Sequence, residues 1–151
     1  MGWDIEKRWQ DFFPGVSFDS WDVSFKQSLE NCRLYVCDQL ATTWLEALSA
    51  NKPTIIFWNP KHNKLRPEAQ AYFDQLRLVG ILYDTPESAA VTVNTIYDDV
   101  EAWWNKPEIQ AVRKKFCDSF AQTSKYSVQD WIVELKKIVK LEESDLLKDS
   151  I

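Results

Sequence analysis

The sequence predicts an α/β fold, a small parallel sheet of three or four strands flanked by helices, and three observations carry that prediction. Short apolar runs occur at residues 33–37 (RLYVC), 54–58 (TIIFW) and 79–83 (VGILY). They are too short for helices and lack the alternation of a half-exposed strand, which is the pattern of buried parallel strands. Stretches of helical periodicity separate them, so that strand, helix and strand follow one another within residues 33–58, a βαβ unit. Finally, 151 residues with 45% apolar and 27% charged side chains match one globular core, and a chain of this size buries roughly 68–70% of its unfolded surface.

The elements follow in order. Ile5, Trp9, Phe12 and Phe13 recur at helical spacing over 4–13, and Phe13-Pro14-Gly15 ends the pattern. Residues 16–18 are a candidate short strand, and the stretch 20–32, with Val23, Phe25, Leu29 and Cys32, predicts a second helix. A helix is expected over about 43–51, stopped where Asn51 takes the left-handed cap and Pro53 cannot continue it. Residues 59–66 form a loop, and Pro67 opens a helix to about residue 77. Thr85 is the expected N-cap of the segment 85–104, with Pro86 in the first helical position and Glu87 in the positive first turn. Two more helices, opened by Pro107 and Ser127, complete the chain; the last places Trp131, Ile132, Leu135, Ile138 and Val139 on one face. The final residues, 143–151, are expected to fray. No glycine-rich linker or repeat divides the chain, so 1–151 is expected to be one domain.

Composition excludes several functions. The net charge of −5 offers no basic field for nucleic acid, so a phosphate group must be caught locally. No apolar run approaches the ~20 residues of a membrane span, and the N-terminus has acid where a signal peptide has an apolar stretch. A cytoplasmic protein is expected. The odd cysteines Cys32, Cys37 and Cys117, with His62 as the single histidine, show no metal-ligand spacing and read as reduced thiols. Only three glycines are present, and no phosphate-binding, dinucleotide-binding or nucleophile-elbow motif occurs.

In open parallel α/β sheets, ligands sit beyond the carboxyl ends of the strands. That rule selects residues 38–43, 59–66 and 84–87. Within the first, Thr43-x-x-Glu46 has the spacing of a capping box, in which threonine and glutamate satisfy each other's backbone amides. The same geometry has a second use: hydroxyls and amides at a helix start bind phosphate, while a carboxylate one turn on grips a ribose diol. Within the second, the loop holds Lys61, Lys64 and Arg66 and no acid; they are either a solvated loop or cations reaching that phosphate from the neighbouring strand, with Arg66 the first choice for a bidentate contact. His62 has no carboxylate partner near it in sequence and reads as a loop residue. Trp103 and Trp104 are packing residues of which one is expected to point partly outward.

At YVCDQLATTWLEALSANKPTIIFW the sequence resembles the donor-binding C-terminal half of GT-B-type glycosyltransferases, and more closely a family of transferases of bacterial surface-carbohydrate biosynthesis. The segments GILYDTPESAA and AWWNKPEIQAVRKKF resemble downstream parts of the same family. The resemblance implies a Rossmann-like GT-B C-terminal half that binds a nucleotide-activated sugar, with Thr42 and Thr43 near the phosphates, Glu46 on the ribose, and Asp38 ordering the turn or touching the donor. It implies no cofactor and no metal. GT-B enzymes react in a cleft between two Rossmann-like halves, and this chain has room for one. An N-terminal acceptor domain is therefore the expected missing partner, no catalytic residue is assigned, and the fragment alone is expected to turn over nothing. Leu40-Ala41 stand where related motifs often carry glycine. Two alternatives stay open: half of a GT-B-fold sugar epimerase or glycerophosphate-type transferase, and a non-catalytic domain whose tryptophan-rich face binds a protein.

Overall fold

A computed structural model describes residues 4–19 and 22–148, with side chains described through residue 140. The order of elements is α1 (Ile5–Phe12), α2 (Phe25–Asn31), β1 (Tyr35–Cys37), α3 (Thr43–Ser49), β2 (Thr54–Phe57), α4 (Pro67–Leu78), β3 (Leu82–Tyr83), α5 (Pro86–Ile96), α6 (Val100–Trp104), α7 (Pro107–Phe120) and α8 (Ser127–Lys148). The sheet has three parallel strands in the order β1-β2-β3, with Val36 opposite Ile55 and Ile56 opposite Leu82. The class is therefore α/β, as the apolar runs predict. Parallel strands added in one direction need crossovers, and α7 packs across both crossover helices α3 and α4, while α5 packs on β2 and β3.

The strands are shorter than their apolar runs because the flanking residues are spent on connections. After α4, Gly80 sits at φ 78°, its amide bonded to Arg77 O at 3.1 Å and that of Ile81 to Leu76 O at 2.9 Å. These are the two bonds of a Schellman cap, which needs a left-handed residue. The end of α3 is built the same way: Asn51 adopts φ 55°, as expected, its amide bonded to Leu48 O and that of Lys52 to Ala47 O.

Three of the expected elements change. The candidate strand at 16–18 does not form; the Val16 amide bonds Phe13 O at 2.9 Å in the turn around Pro14-Gly15. The second helix begins only at Phe25, where Ser24 and Gln27 form a reciprocal capping box; Ser20 and Trp21, the expected start, lie outside the described residues. The segment 85–104 divides in two, since Asp99 accepts from the Ala102 amide at 2.9 Å and starts α6 afresh. The expected N-cap at Thr85 is present, accepting from the Ser88 amide at 3.2 Å. Of the C-terminal stretch expected to fray, α8 holds residues through Lys148, and 149–151 lie outside the described residues.

The core joins Ile55, Ile56, Leu76, Ile81 and Leu82 to an aromatic cluster of Trp44, Trp58, Phe73 and Phe116, whose ring centroids lie 5.1–6.3 Å apart. Trp103 and Trp104 are both buried, correcting the expectation that one faces outward. The Trp104 indole donates to Asn51 O and Oδ1, both at 3.0 Å, which draws α6 inward against the end of α3. Exposed tryptophans lie elsewhere: Trp9 on α1 with Ile5, Phe12 and Phe13, and Trp131 on α8 with Ile132, Leu135 and Val139.

Candidate functional site

The segment after β1 decides the geometry. The N-cap of α3 is Thr42, with φ −86° and ψ −24° and no side-chain cap bond. Thr43 is thus the first helical residue and Glu46 the fourth, whereas a capping box needs the acid in third place. Leu45 occupies that place. The expected box between Thr43 and Glu46 therefore does not form; the amides of Leu45 and Glu46 both bond the Thr42 carbonyl, at 3.0 and 3.3 Å.

The one-residue shift frees the polar side chains. The Glu46 carboxylate is exposed and has no hydrogen bond or ion pair among the described residues, and the Thr42 hydroxyl caps nothing. The Thr43 hydroxyl accepts from the Tyr35 phenol at 2.8 Å, which leaves its own proton to donate elsewhere. Burial is the main cause that raises the Tyr35 phenol above its ordinary pKa, with the Thr43 bond opposing it. The phenol is neutral at physiological pH and stays the donor in that pair.

Helical spacing gathers Thr42, Leu45, Glu46, Ser49 and Ala50 on one face of α3, opposite the buried Trp44, Ala47 and Leu48. That face lines a cavity of about 480 Å³, closed on its far side by residues 120–123 at the end of α7. Of the residues predicted from sequence, the structure brings Thr42 and Glu46 together here. Asp38, Lys61 and Arg66 are exposed on loops at the same carboxyl end of the sheet but do not line this cavity. Asn59 organises the second loop, its side chain accepting from the Lys61 amide at 2.9 Å and its carbonyl from the His62 amide at 3.0 Å. Arg66 is the residue before Pro67, in extended backbone at the start of α4, and its side chain makes no cap.

Sequence reasoning missed Leu45, Ser49 and Ala50, which the i, i+3, i+4, i+7, i+8 spacing from Thr42 could have supplied. It also missed Phe120, Gln122 and Thr123, for which only tertiary packing gives a signal. The Ser49 hydroxyl donates to Ala121 O at 2.7 Å and ties the two walls together. The three cysteines are free, and burial pushes the Cys117 thiol up against the opposing pull of Arg113, so it is protonated and a poor nucleophile. Among the described residues no group of three or more His, Cys, Asp or Glu gathers to hold a metal ion, and no helix is long and apolar enough to cross a membrane.

Fold and site together define a parallel α/β protein with an open, partly apolar cavity beside a strand-to-helix junction and, in its wall, a carboxylate without a partner among the described residues. The model of the LIC12162 family transferase matches residues 1–135, and the chain belongs to that family of transferases. No curated protein and no solved structure matches it.

Proposed function

We propose that this chain is the donor-binding half of a GT-B-type glycosyltransferase of surface-polysaccharide biosynthesis, and that its cavity takes the nucleoside of a nucleotide-activated sugar. The observation that carries the reading is Glu46, a carboxylate without a partner among the described residues, one turn from the helix start, in the wall of a cavity otherwise rich in apolar side chains. A carboxylate there accepts from both hydroxyls of a ribose while Leu45, Ala50 and Phe120 cover the flat faces of a base. Thr42 and Thr43 then donate to the diphosphate. Asp38 orders the turn, and Lys61 and Arg66 approach the phosphates from the neighbouring loop once a ligand is present, neutralising the leaving group without a metal. An N-terminal acceptor-binding half supplies the second wall of the reaction cleft. The exposed apolar side chains of α1 and α8 support a partner of that kind.

Titration of the ¹⁵N-labelled chain with UDP, CDP and GDP tests the reading. Amide shifts are expected to cluster on residues 38–46 and 59–66. Glu46→Gln is expected to leave the fold unchanged, because no capping box depends on the charge, and to weaken nucleotide binding about tenfold or more. Each charge-assisted hydrogen bond contributes about 1.5–3 kcal/mol. A folded chain that responds to none of the three at millimolar concentration ends the proposal.

A second reading, a protein-interaction domain without donor chemistry, draws on the same exposed faces. It predicts that Glu46→Gln changes no binding property, whereas Trp9→Ala and Trp131→Ala do.

A further inference from the structure

The largest cavity described, about 700 Å³, is a cleft between α7 and the first two turns of α8. It adjoins the donor cavity through Ser49 and residues 121–123. Its charged groups are mostly engaged. Lys114 pairs with Asp118 at 2.8 Å, Glu134 with Lys137 at 2.6 Å, and the Arg113 guanidinium donates to Leu48 O at 2.9 Å and Gln110 Oε1 at 3.0 Å. What remains for a ligand is the Asp130 carboxylate, the Gln122 amide and the Thr123 and Ser127 hydroxyls, which have no side-chain partner among the described residues. Beside them stands the Trp131 indole, 68% exposed.

This set selects among ligand chemistries. An anion meets a lining with more acid than base, Asp118, Asp130 and Glu134 against Arg113 and Lys114, with the Asp130 carboxylate unpaired among the described residues. A metal ion finds a single free carboxylate, short of the several oxygen ligands it needs. A wholly apolar ligand would bury the amide, the hydroxyls and the carboxylate without partners, a cost of about 1–3 kcal/mol for each. A neutral saccharide fits: its hydroxyls donate to Asp130 and accept from Gln122, and the C–H face of a pyranose lies on the indole ring, which is flat, apolar and held on a helix.

We propose that the α7–α8 cleft is a saccharide-binding site, with Trp131 as its platform and Asp130 as its principal acceptor. Position separates this saccharide from the sugar being transferred, a point that rests on the donor reading. The cleft lies past Ser49, at the opposite end of α3 from Thr42 and Thr43, about 10 Å along the helix. A sugar attached to a diphosphate held by the threonines projects the other way. The cleft therefore holds a second sugar, such as a residue of the growing glycan.

The test is a ¹H–¹⁵N titration of the whole chain with maltose, lactose and N,N′-diacetylchitobiose, following the tryptophan indole and glutamine side-chain signals. At least one saccharide is expected to shift the Trp131 indole and Gln122 amide signals saturably. Read at the Gln122 side-chain amide, which every variant keeps, Asp130→Asn is expected to weaken the response about tenfold, Trp131→Ala to abolish it, and Trp131→Phe to retain most of it. No saturable shift at Trp131 with any of the three overturns the proposal. So does a response confined to residues 42–46, or a Trp131 signal that moves on dilution without sugar, which would mark this face as an interface between copies. UDP titrated in parallel is read at the Thr42 and Glu46 amides, which line the donor cavity only, and the saccharide at the Trp131 indole, which lines the cleft only, so either proposal can fail while the other stands.

Discussion

The two ends of the sheet treat polar side chains in opposite ways. At the amino end they are consumed. Asn51 accepts twice from Trp104, Lys52 Nζ donates to Glu30 O at 3.1 Å and Cys32 O at 2.7 Å, and the Thr54 hydroxyl donates to Lys52 O at 2.7 Å. Nearby, Arg33 donates to the carbonyls of Tyr97 and Asp98. At the carboxyl end, Thr42, Glu46, Lys61 and Arg66 hold no such side-chain bonds among the described residues. Even the indoles divide: Trp104 is fully bonded, whereas Trp44 and Trp58, buried on the carboxyl side, have no acceptor among the described residues. The difference teaches that Asn51-Lys52-Pro53 is a structural joint and that the uncommitted polar side chains lie one helix length away.

The strongest way to break the comparison is at the joint. Trp104→Ala removes a fully buried indole and leaves the Asn51 acceptors unmatched, and a loss of about 3–5 kcal/mol is expected for a large aromatic in a core. Chemical denaturation would read it as a lowered midpoint. Stability within about 1 kcal/mol of wild type would show that α6 is not anchored where the geometry puts it.

A smaller effect is expected at Lys52. Its ammonium covers the last carbonyls of α2, where a cation also meets the negative helix end. Lys52→Met keeps the stem and removes the charge, and is expected to cost about 1–3 kcal/mol, with hydrogen exchange quickening first in residues 25–32. Uniform exchange across the chain would separate Lys52 from α2.

How much of this was legible in the sequence follows the range of the interactions. Strand positions and the left-handed Asn51 were readable because buried parallel strands and helix caps are set by a few adjacent residues. The break at Asp99 was missed although its signal is local, an aspartate capping the amide three residues on, because the apolar pattern continues across it. The pair Trp103-Trp104 was misjudged for a tertiary reason: the partner of its indole is Asn51, 53 positions away. The candidate site was half legible. Thr42 and Glu46 follow from the strand-end rule, but their cavity wall at residues 120–123 comes from the packing of α7, which no local pattern encodes.

The smallest effects test the comparison most sharply, because they set two helix starts of nearly equal sequence cost against each other. The Ser24 hydroxyl accepts from the Gln27 amide while the Ser24 amide donates to Gln27 Oε1, so Ser24→Ala removes the hydroxyl half of the box and is expected to cost about 1 kcal/mol. Thr42 stands at the same position of α3 without a cap bond, so Thr42→Ala is expected to shift stability by less than about 0.5 kcal/mol. Under the donor reading it weakens nucleotide binding all the same. Side-by-side denaturation of the two variants reads the first difference, and a UDP titration of Thr42→Ala reads the second. Equal destabilisation would mean that Thr42 caps α3 in solution, and its hydroxyl would then be committed to the helix rather than free for a phosphate.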